Sequence, residues 1–167
     1  MCSLSLISKL AEDCDSDFED FYKIKSDADN IKWSGFLTAP VKESFRLWYS
    51  NQIKNPKRDI YLVFLEGILH AVGFFYIDYS ENEEFYVPSG VLGEFTRRGI
   101  GTWIIQESNR IAKENGSKKH IALVSELNVG SVKRYEKLGF SKTLEYEIRN
   151  VPLAGGKQKF YKWVKCI

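Results

Sequence analysis

The chain has 167 residues, enough for one domain with its own hydrophobic core. Apolar residues make up 44% and charged residues 28%, which excludes a disordered chain, and a net charge of +2 excludes the strong basic stripe of an obligate nucleic-acid binder. The three cysteines Cys2, Cys14 and Cys166 have neither paired nor metal-ligand spacing, so no disulfide framework and no metal site is expected.

The N-terminal run is too short to span a membrane and has no signal-peptide pattern, so cytoplasm is the expected location, with no membrane partner. In chain order, Leu4 to Asp13 reads as a short helix and Phe18 to Ser26 as a first strand. Asp27 to Lys32 reads as a helical turn leading into the loop Trp33 to Phe36. Val41 to Ile53 has helical spacing, anchored by Phe45, Leu47, Trp48 and Ile53. Ile60 to Leu65 is a strand, Glu66-Gly67 a hairpin turn, and Ile68 to Tyr79 a long strand. A polar turn, Ser80 to Glu83, leads to a strand from Glu84 to Leu92, and the short connections make these strands antiparallel. Pro88 cannot donate to a ladder, so it predicts a bulge, a gap or a plain break in that strand.

Gly99 to Glu114 then reads as a helix ended by Gly116, with Ile100, Ile104 and Ile111 on one side. His120 to Ser125 is a buried strand. Asn128 caps a helix carrying Val132, Tyr135 and Leu138, which Gly139 ends. Phe140 to Arg149 and Lys159 to Ile167 are the last two strands, joined by Asn150 to Gln158. The order predicts one α/β (α+β) domain around a mixed central sheet.

Two segments carry chemistry. In Glu94-Phe95-Thr96-Arg97-Arg98-Gly99-Ile100-Gly101-Thr102 a strand gives way to glycines and a helix start, which presents free N–H groups and a positive dipole end to a phosphate. The segment lacks the lysine of a P-loop, and Ile104 stands where a dinucleotide fingerprint needs its third glycine. A simple tight turn is the bland alternative. The second segment is Asn128 to Phe140, where Ser131 and Tyr135, four apart, share a helical face. Taken singly, Asn128 reads as a cap and Tyr135 as a packed aromatic.

In this order and spacing the two segments resemble the GNAT N-acetyltransferase superfamily. Thr96-Arg97-Arg98-Gly99-Ile100-Gly101 matches its pyrophosphate loop, [QR]xxGx[GA], with Thr96 in place of the usual Gln or Arg. Asn128, Ser131, Tyr135, Gly139 and Phe140 match its later signature, with Ser131 in place of alanine. The resemblance covers Ile60 to Phe140 best. It implies one GNAT domain over 1–167, with an acceptor-side part at 1–57, an acetyl-CoA-binding core at 58–140 and C-terminal strands at 141–167. It also implies acetyl-CoA as co-substrate, held by Val91, Leu92, Gly93, Arg97, Arg98, Gly99, Ile100, Gly101, Thr102, Asn128, Ser131 and Tyr135, with pantetheine between two splayed strands.

The implied reaction is direct attack of an amine on the acetyl thioester. Tyr135 would be the acid for the leaving thiolate, backbone N–H near Leu92 the oxyanion donor, and Glu84 the base. Trp33, Phe36 and Tyr86 are expected to line the acceptor site. The aromatics Trp33, Phe36, Trp48 and Tyr49 favour a closed pocket and a small-molecule amine, such as an amino sugar or a polyamine-like compound. A protein or peptide acceptor and a non-catalytic acetyl-CoA-binding module remain as alternatives. His70 and His120 read as structural, Lys113, Lys118 and Lys119 as a solvated surface, and the assembly as a monomer or homodimer.

Overall fold

The computed structural model describes residues 3–167, so Cys2 lies outside the described residues. Eight strands form one mixed sheet in the order β1-β2-β3-β4-β6-β8-β7, with β5 paired to β3 off that path. The strands are β1 (Leu6–Leu10), β2 (Arg58–Leu65), β3 (Gly73–Tyr79), β4 (Glu84–Tyr86), β5 (Ser89–Val91), β6 (Lys119–Ser125), β7 (Ser141–Val151) and β8 (Gly156–Cys166). The helices are α1 (Asp15–Lys25), α2 (Ala28–Ser34), α3 (Lys42–Ile53), α4 (Ile100–Glu114) and α5 (Val129–Lys137).

The first two expectations are reversed, while the helical stretches at Asp27 to Lys32 and Val41 to Ile53 are found as α2 and α3. Leu6–Leu10 is a strand, antiparallel to β2 with Leu6 opposite Leu65 and Leu10 opposite Tyr61. Phe18 to Lys25 is helical, and its spacing shows why: Phe18, Phe21 and Ile24 are buried along one face and Lys25 follows Phe21 by four. The aromatics that suggested a strand pack on this helix instead. Asp17 joins the two elements, accepting from the Glu12 N–H at 2.9 Å and from Lys9 Nζ at 3.2 Å.

Strand β3 starts at Gly73 rather than Ile68, because Asp20 of α1 ties down the connection by accepting from the Ala71 N–H at 3.1 Å. His70, exposed in this loop rather than in a strand, contacts the same carboxylate at 2.9 Å through Nδ1.

Pro88 interrupts its strand without adding a residue. Tyr86 faces Asp78 and Ser89 faces Phe75, so the register is continuous through the break. Pro88 accepts from the Tyr76 N–H at 2.8 Å and, having no N–H, gives nothing back. The result is a missing rung rather than a bulge.

Two layers of side chains cover the sheet. On one face α1 and α3 bury Phe18, Phe21, Ile24 and Tyr49 against Leu62, Phe74 and Tyr76. On the other, α4 buries Ile100, Ile104 and Ile111 against Phe75, Ile77 and Phe85. Further along that face, Tyr135 and Val132 of α5 pack against Ala122, Val124, Phe140 and Trp163.

Candidate active site

The sheet opens in its middle. Strand β4 pairs in parallel with β6 over three rungs, from Glu84 opposite Lys119 to Tyr86 opposite Ile121. Beyond Tyr86, β5 pairs with β3 alone, while β6 continues with β8. A wedge therefore separates β5 from the C-terminal half of β6, where the splay was expected. Strand alternation decides which amides face it. Leu92 donates to the Val72 carbonyl at 2.9 Å, so its N–H belongs to the sheet and cannot be the oxyanion donor. The N–H groups of Ser89 and Val91, of opposite parity, point away from β3 into the wedge. The Gly93 N–H is held by Asp27 Oδ1 at 3.2 Å.

A single 3-10 turn, Gly93–Phe95, leads from the wedge into the cradle. Arg97 at φ 62 and Gly99 at φ 85 are both left-handed, which curls successive backbone N–H groups toward a common point, a form suited to an anion. Glycine takes this conformation freely at position 99, whereas Arg97 adopts it under strain. Helix α4 begins directly after, with no acidic side chain in its first turn to compete for the dipole. Arg98 lies over the Phe95 ring, 5.2 Å from its centroid. Thr96 uses its hydroxyl to bind the Gly93 carbonyl at 2.8 Å, so it shapes the turn.

The two sequence segments meet at Gly101. A Cβ there would lie 2.7 Å from the Arg134 guanidinium of α5. Arg134 fills an unspecified position of the second motif. Its position immediately before Tyr135 was the available signal, since a helix that points Tyr135 inward turns its neighbour by about 100° toward the cradle. Arg134, Arg97 and Arg98 thus surround the α4 N-terminus with positive charge. A backbone cradle, a side-chain-free Gly101 and three guanidinium-bearing residues fit a pyrophosphate; a wedge with two free amides fits an extended pantetheine arm.

Asn128 caps α5, its side-chain oxygen accepting from the Ser131 N–H at 3.2 Å. Tyr135 packs edge-on against Phe140, with ring centroids 4.9 Å apart. Burial pushes its phenol up to about 12, against a smaller opposing effect of Arg134, so it holds its proton throughout the physiological range.

On the opposite side of the sheet the acceptor-side residues are divided. Tyr86 lines a groove with Leu123, Glu145, Tyr146, Glu147 and Lys162. Trp33 is half-buried in α2, and Phe36 beyond it is 60% exposed. Trp48 and Tyr49 do not line this side; they belong to the aromatic core, and the Tyr49 hydroxyl donates to the Glu12 carbonyl at 2.7 Å. Asn30 of α2, not foreseen from the sequence, lies over Gly90, where a Cβ would collide with its amide.

Glu84 is not brought to the wedge. It sits on the first rung of β4, paired with Lys119 at 3.6 Å. Five strand steps separate it from Ser89, about 16 Å at the usual rise. Lys118 pairs with Glu83 at 3.0 Å, so Lys118 and Lys119 serve this far end of the sheet rather than the cradle.

His120 is structural: fully buried, it contacts Asn109 Oδ1 at 2.7 Å through Nδ1 and lies between Phe85 and Phe140. Burial, aided by Lys165, pulls its pKa down to about 3, so it stays neutral.

A parallel strand pair that parts into a wedge, followed by a glycine turn at a helix N-terminus, is the arrangement that the resemblance to the GNAT superfamily implies. The family model described as "Acetyltransferase (GNAT) family" matches residues 14–140, and the chain belongs to this family: it is an acetyl-CoA-dependent N-acetyltransferase. Among solved structures, it is similar to spermidine N-acetyltransferase from Vibrio cholerae in complex with CoA and spermine, at 12% identity and a TM-score of 0.83, covering 96% of this chain and 95% of that one. It is also similar to ribosomal-protein-alanine N-acetyltransferase from Brucella melitensis, at 16% identity and a TM-score of 0.77, covering 96% and 99%. A protein assigned as a phosphinothricin N-acetyltransferase aligns at 20% identity and a TM-score of 0.75, covering 98% and 99%. At these identities the likeness is one of fold. A comparison with curated protein sequences finds no match.

Proposed function

We propose that the protein acetylates a primary amine of a small molecule. The observation that carries this reading is the groove that begins at Tyr86, beside the contact between α2 and β7. The C-cap of α2 packs against β7, where a Cβ at Gly35 would be in ordinary contact, 3.5 Å, with the Asn150 carbonyl oxygen. With Tyr86 and Leu123 at its floor and Glu145, Tyr146, Glu147 and Lys162 along its β7–β8 side, the approach to the wedge is a groove, and we read a groove as suiting a small acceptor better than a folded protein surface.

Acetyl-CoA supplies the activated acyl group. Gly99, Ile100, Gly101 and Thr102 would hold its pyrophosphate through backbone N–H groups, with Arg97, Arg98 and Arg134 balancing the charge. Val91 would pair with the pantetheine amide. Ser89, nearer the closed end of the wedge, has the N–H best placed to polarise the carbonyl that is attacked. Leu92 and Gly93 contribute backbone shape rather than donors. Asn128 and Ser131 line the start of α5, where the arm would pass. Tyr135 carries a proton that burial retains, and its role is to deliver it to the departing sulfur. Trp33, Phe36 and Tyr86 would contact the acceptor. With Glu84 remote, the ammonium proton leaves through water in the groove, toward Glu145 and Glu147.

Among the described residues no helix is long and apolar enough to cross a membrane, and a cytoplasmic location is part of this proposal. The decisive experiment measures thiol release from acetyl-CoA against a panel of small amines and a set of peptides. Turnover of one or more small amines is expected; turnover confined to peptides would overturn the reading.

A further inference from the structure

Resting on that reading, we propose that the acceptor is an amine that also carries a carboxylate, an amino acid or a close relative, and that Lys25 binds its carboxylate.

Lys25 is the last residue of α1, and its Nζ lies 5.3 Å from the centroid of the Phe74 ring. Phe74 is the residue opposite Gly90 in the β3–β5 ladder, and its Cε1 would be 2.6 Å from a Gly90 Cβ. Gly90 follows Ser89, whose amide faces the wedge. A single aromatic ring thus separates the Lys25 ammonium from the strand at which the acyl group would lie.

The lysine is half-buried and has no anionic partner. No salt bridge or side-chain hydrogen bond joins it to a carboxylate among the described residues, and the charged group acting on it is a second cation, Arg58. Desolvation together with this repulsion lowers its pKa, and the Phe74 ring face, not an anion, is what the ammonium meets. Arg58 itself is fully engaged, with Asp78 at 2.6 and 2.9 Å and Gln52 at 2.9 Å, so it has no surplus charge to offer.

The surroundings have unused hydrogen-bonding capacity too. Tyr76, beside Phe74 at a centroid distance of 5.2 Å, has a buried hydroxyl with no partner, as does Ser26, the residue after Lys25. A half-buried ammonium with no carboxylate partner costs stability unless something anionic uses it. Nearby, the Asn30 amide covers Gly90 and adds another polar group. A polyamine would meet only repulsion from Lys25. A carboxylate would neutralise it, and its own amine would be directed toward the wedge.

The test compares L-methionine and L-glutamate with methioninamide and spermidine as acceptors. kcat/KM is expected to be about tenfold or more higher for the acids than for methioninamide, a typical margin for a charge-assisted contact. Lys25→Met should bring the acid-to-amide ratio close to one, and Lys25→Arg should retain part of the preference. In parallel, calorimetry with CoA present should detect saturable methionine binding that Lys25→Met removes, while acetyl-CoA affinity stays unchanged. Equal or better use of methioninamide or spermidine, or a ratio unaltered by Lys25→Met, would overturn the proposal while leaving the small-amine reading intact. Turnover confined to peptides would remove the reading on which it rests.

Discussion

In the aromatic core under α1 and α3, Phe18, Phe21, Phe45, Trp48 and Tyr49 stack on one another and on Phe74 and Tyr76, with ring centroids 4.9 to 6.3 Å apart. On the cofactor side, the working part is backbone: two free amides in a wedge, a left-handed Arg97 and Gly99, and a Gly101 with Arg134 against it. The first region derives its order from buried area and tolerates any sequence that fills the space. The second must present particular N–H groups, so its glycines and its proline are fixed by geometry. Aromatic packing builds the floor that keeps the wedge open, and the cradle built on it is free to stay solvent-exposed.

If that division holds, the two regions respond to different measurements. The largest effect is expected from Phe21→Ala, which empties the centre of the aromatic block and should cost about 3–5 kcal/mol of stability. Chemical denaturation would show it; at temperatures where the variant stays folded, acetyl-CoA affinity should be nearly unaltered. A large loss of affinity in the folded variant would break the division.

Gly101→Asp tests the other side. It places a carboxylate where the Arg134 guanidinium now lies and opposes the pyrophosphate. Acetyl-CoA affinity should fall by roughly a hundredfold, about 3 kcal/mol, with little change in thermal stability. Unchanged binding by calorimetry would remove the cradle assignment.

Tyr135→Phe should lower turnover by about ten- to a thousand-fold and leave acetyl-CoA affinity close to that of the parent. Because the phenol is pushed up to about 12, the parent should show no loss of activity from Tyr135 ionisation up to the ordinary phenol range near pH 10. Its folded-state value lies above the unfolded one, so any stability it contributes is present below about pH 10 and lost only as pH rises toward 12. Full activity of the Phe variant under rate-limiting chemistry would return Tyr135 to packing alone.

The smallest effect is expected at Glu84. Glu84→Gln removes a partly exposed pair with Lys119 and should change turnover by less than about twofold and stability by less than about 1 kcal/mol. A strong fall in rate at neutral pH, relieved at high pH, would restore Glu84 as the base despite its distance.

The elements from Ile60 onward were legible because their signals are local. Pro88 must break a ladder, Gly99 and Gly101 must precede a helix, and Asn128, three residues before Ser131, is a cap by its own chemistry. Each of these depends on backbone rules that neighbours cannot override. The family likeness followed from the spacing of such residues. The N-terminal part misled because aromatics serve helices and strands equally well, and the choice between them at Phe18 to Lys25 is made by what they pack against. The sheet's N-terminal edge was likewise invisible, since β1 exists only because β2 offers it a partner 55 residues away in sequence, Leu10 opposite Tyr61 being separated by 51.

By itself, then, the sequence determined the mixed sheet, the strand break at Pro88, the glycine turn before α4 and the place of Tyr135 on α5. Only the tertiary structure decided which amides remain free, since that depends on strand parity through the Pro88 break. It also decided that Arg134 closes on Gly101, that Trp48 and Tyr49 are core, and that Glu84 lies at the paired end of its strand. These are long-range contacts, and what fixes them is the competition of many side chains for one interior, which no local spacing records.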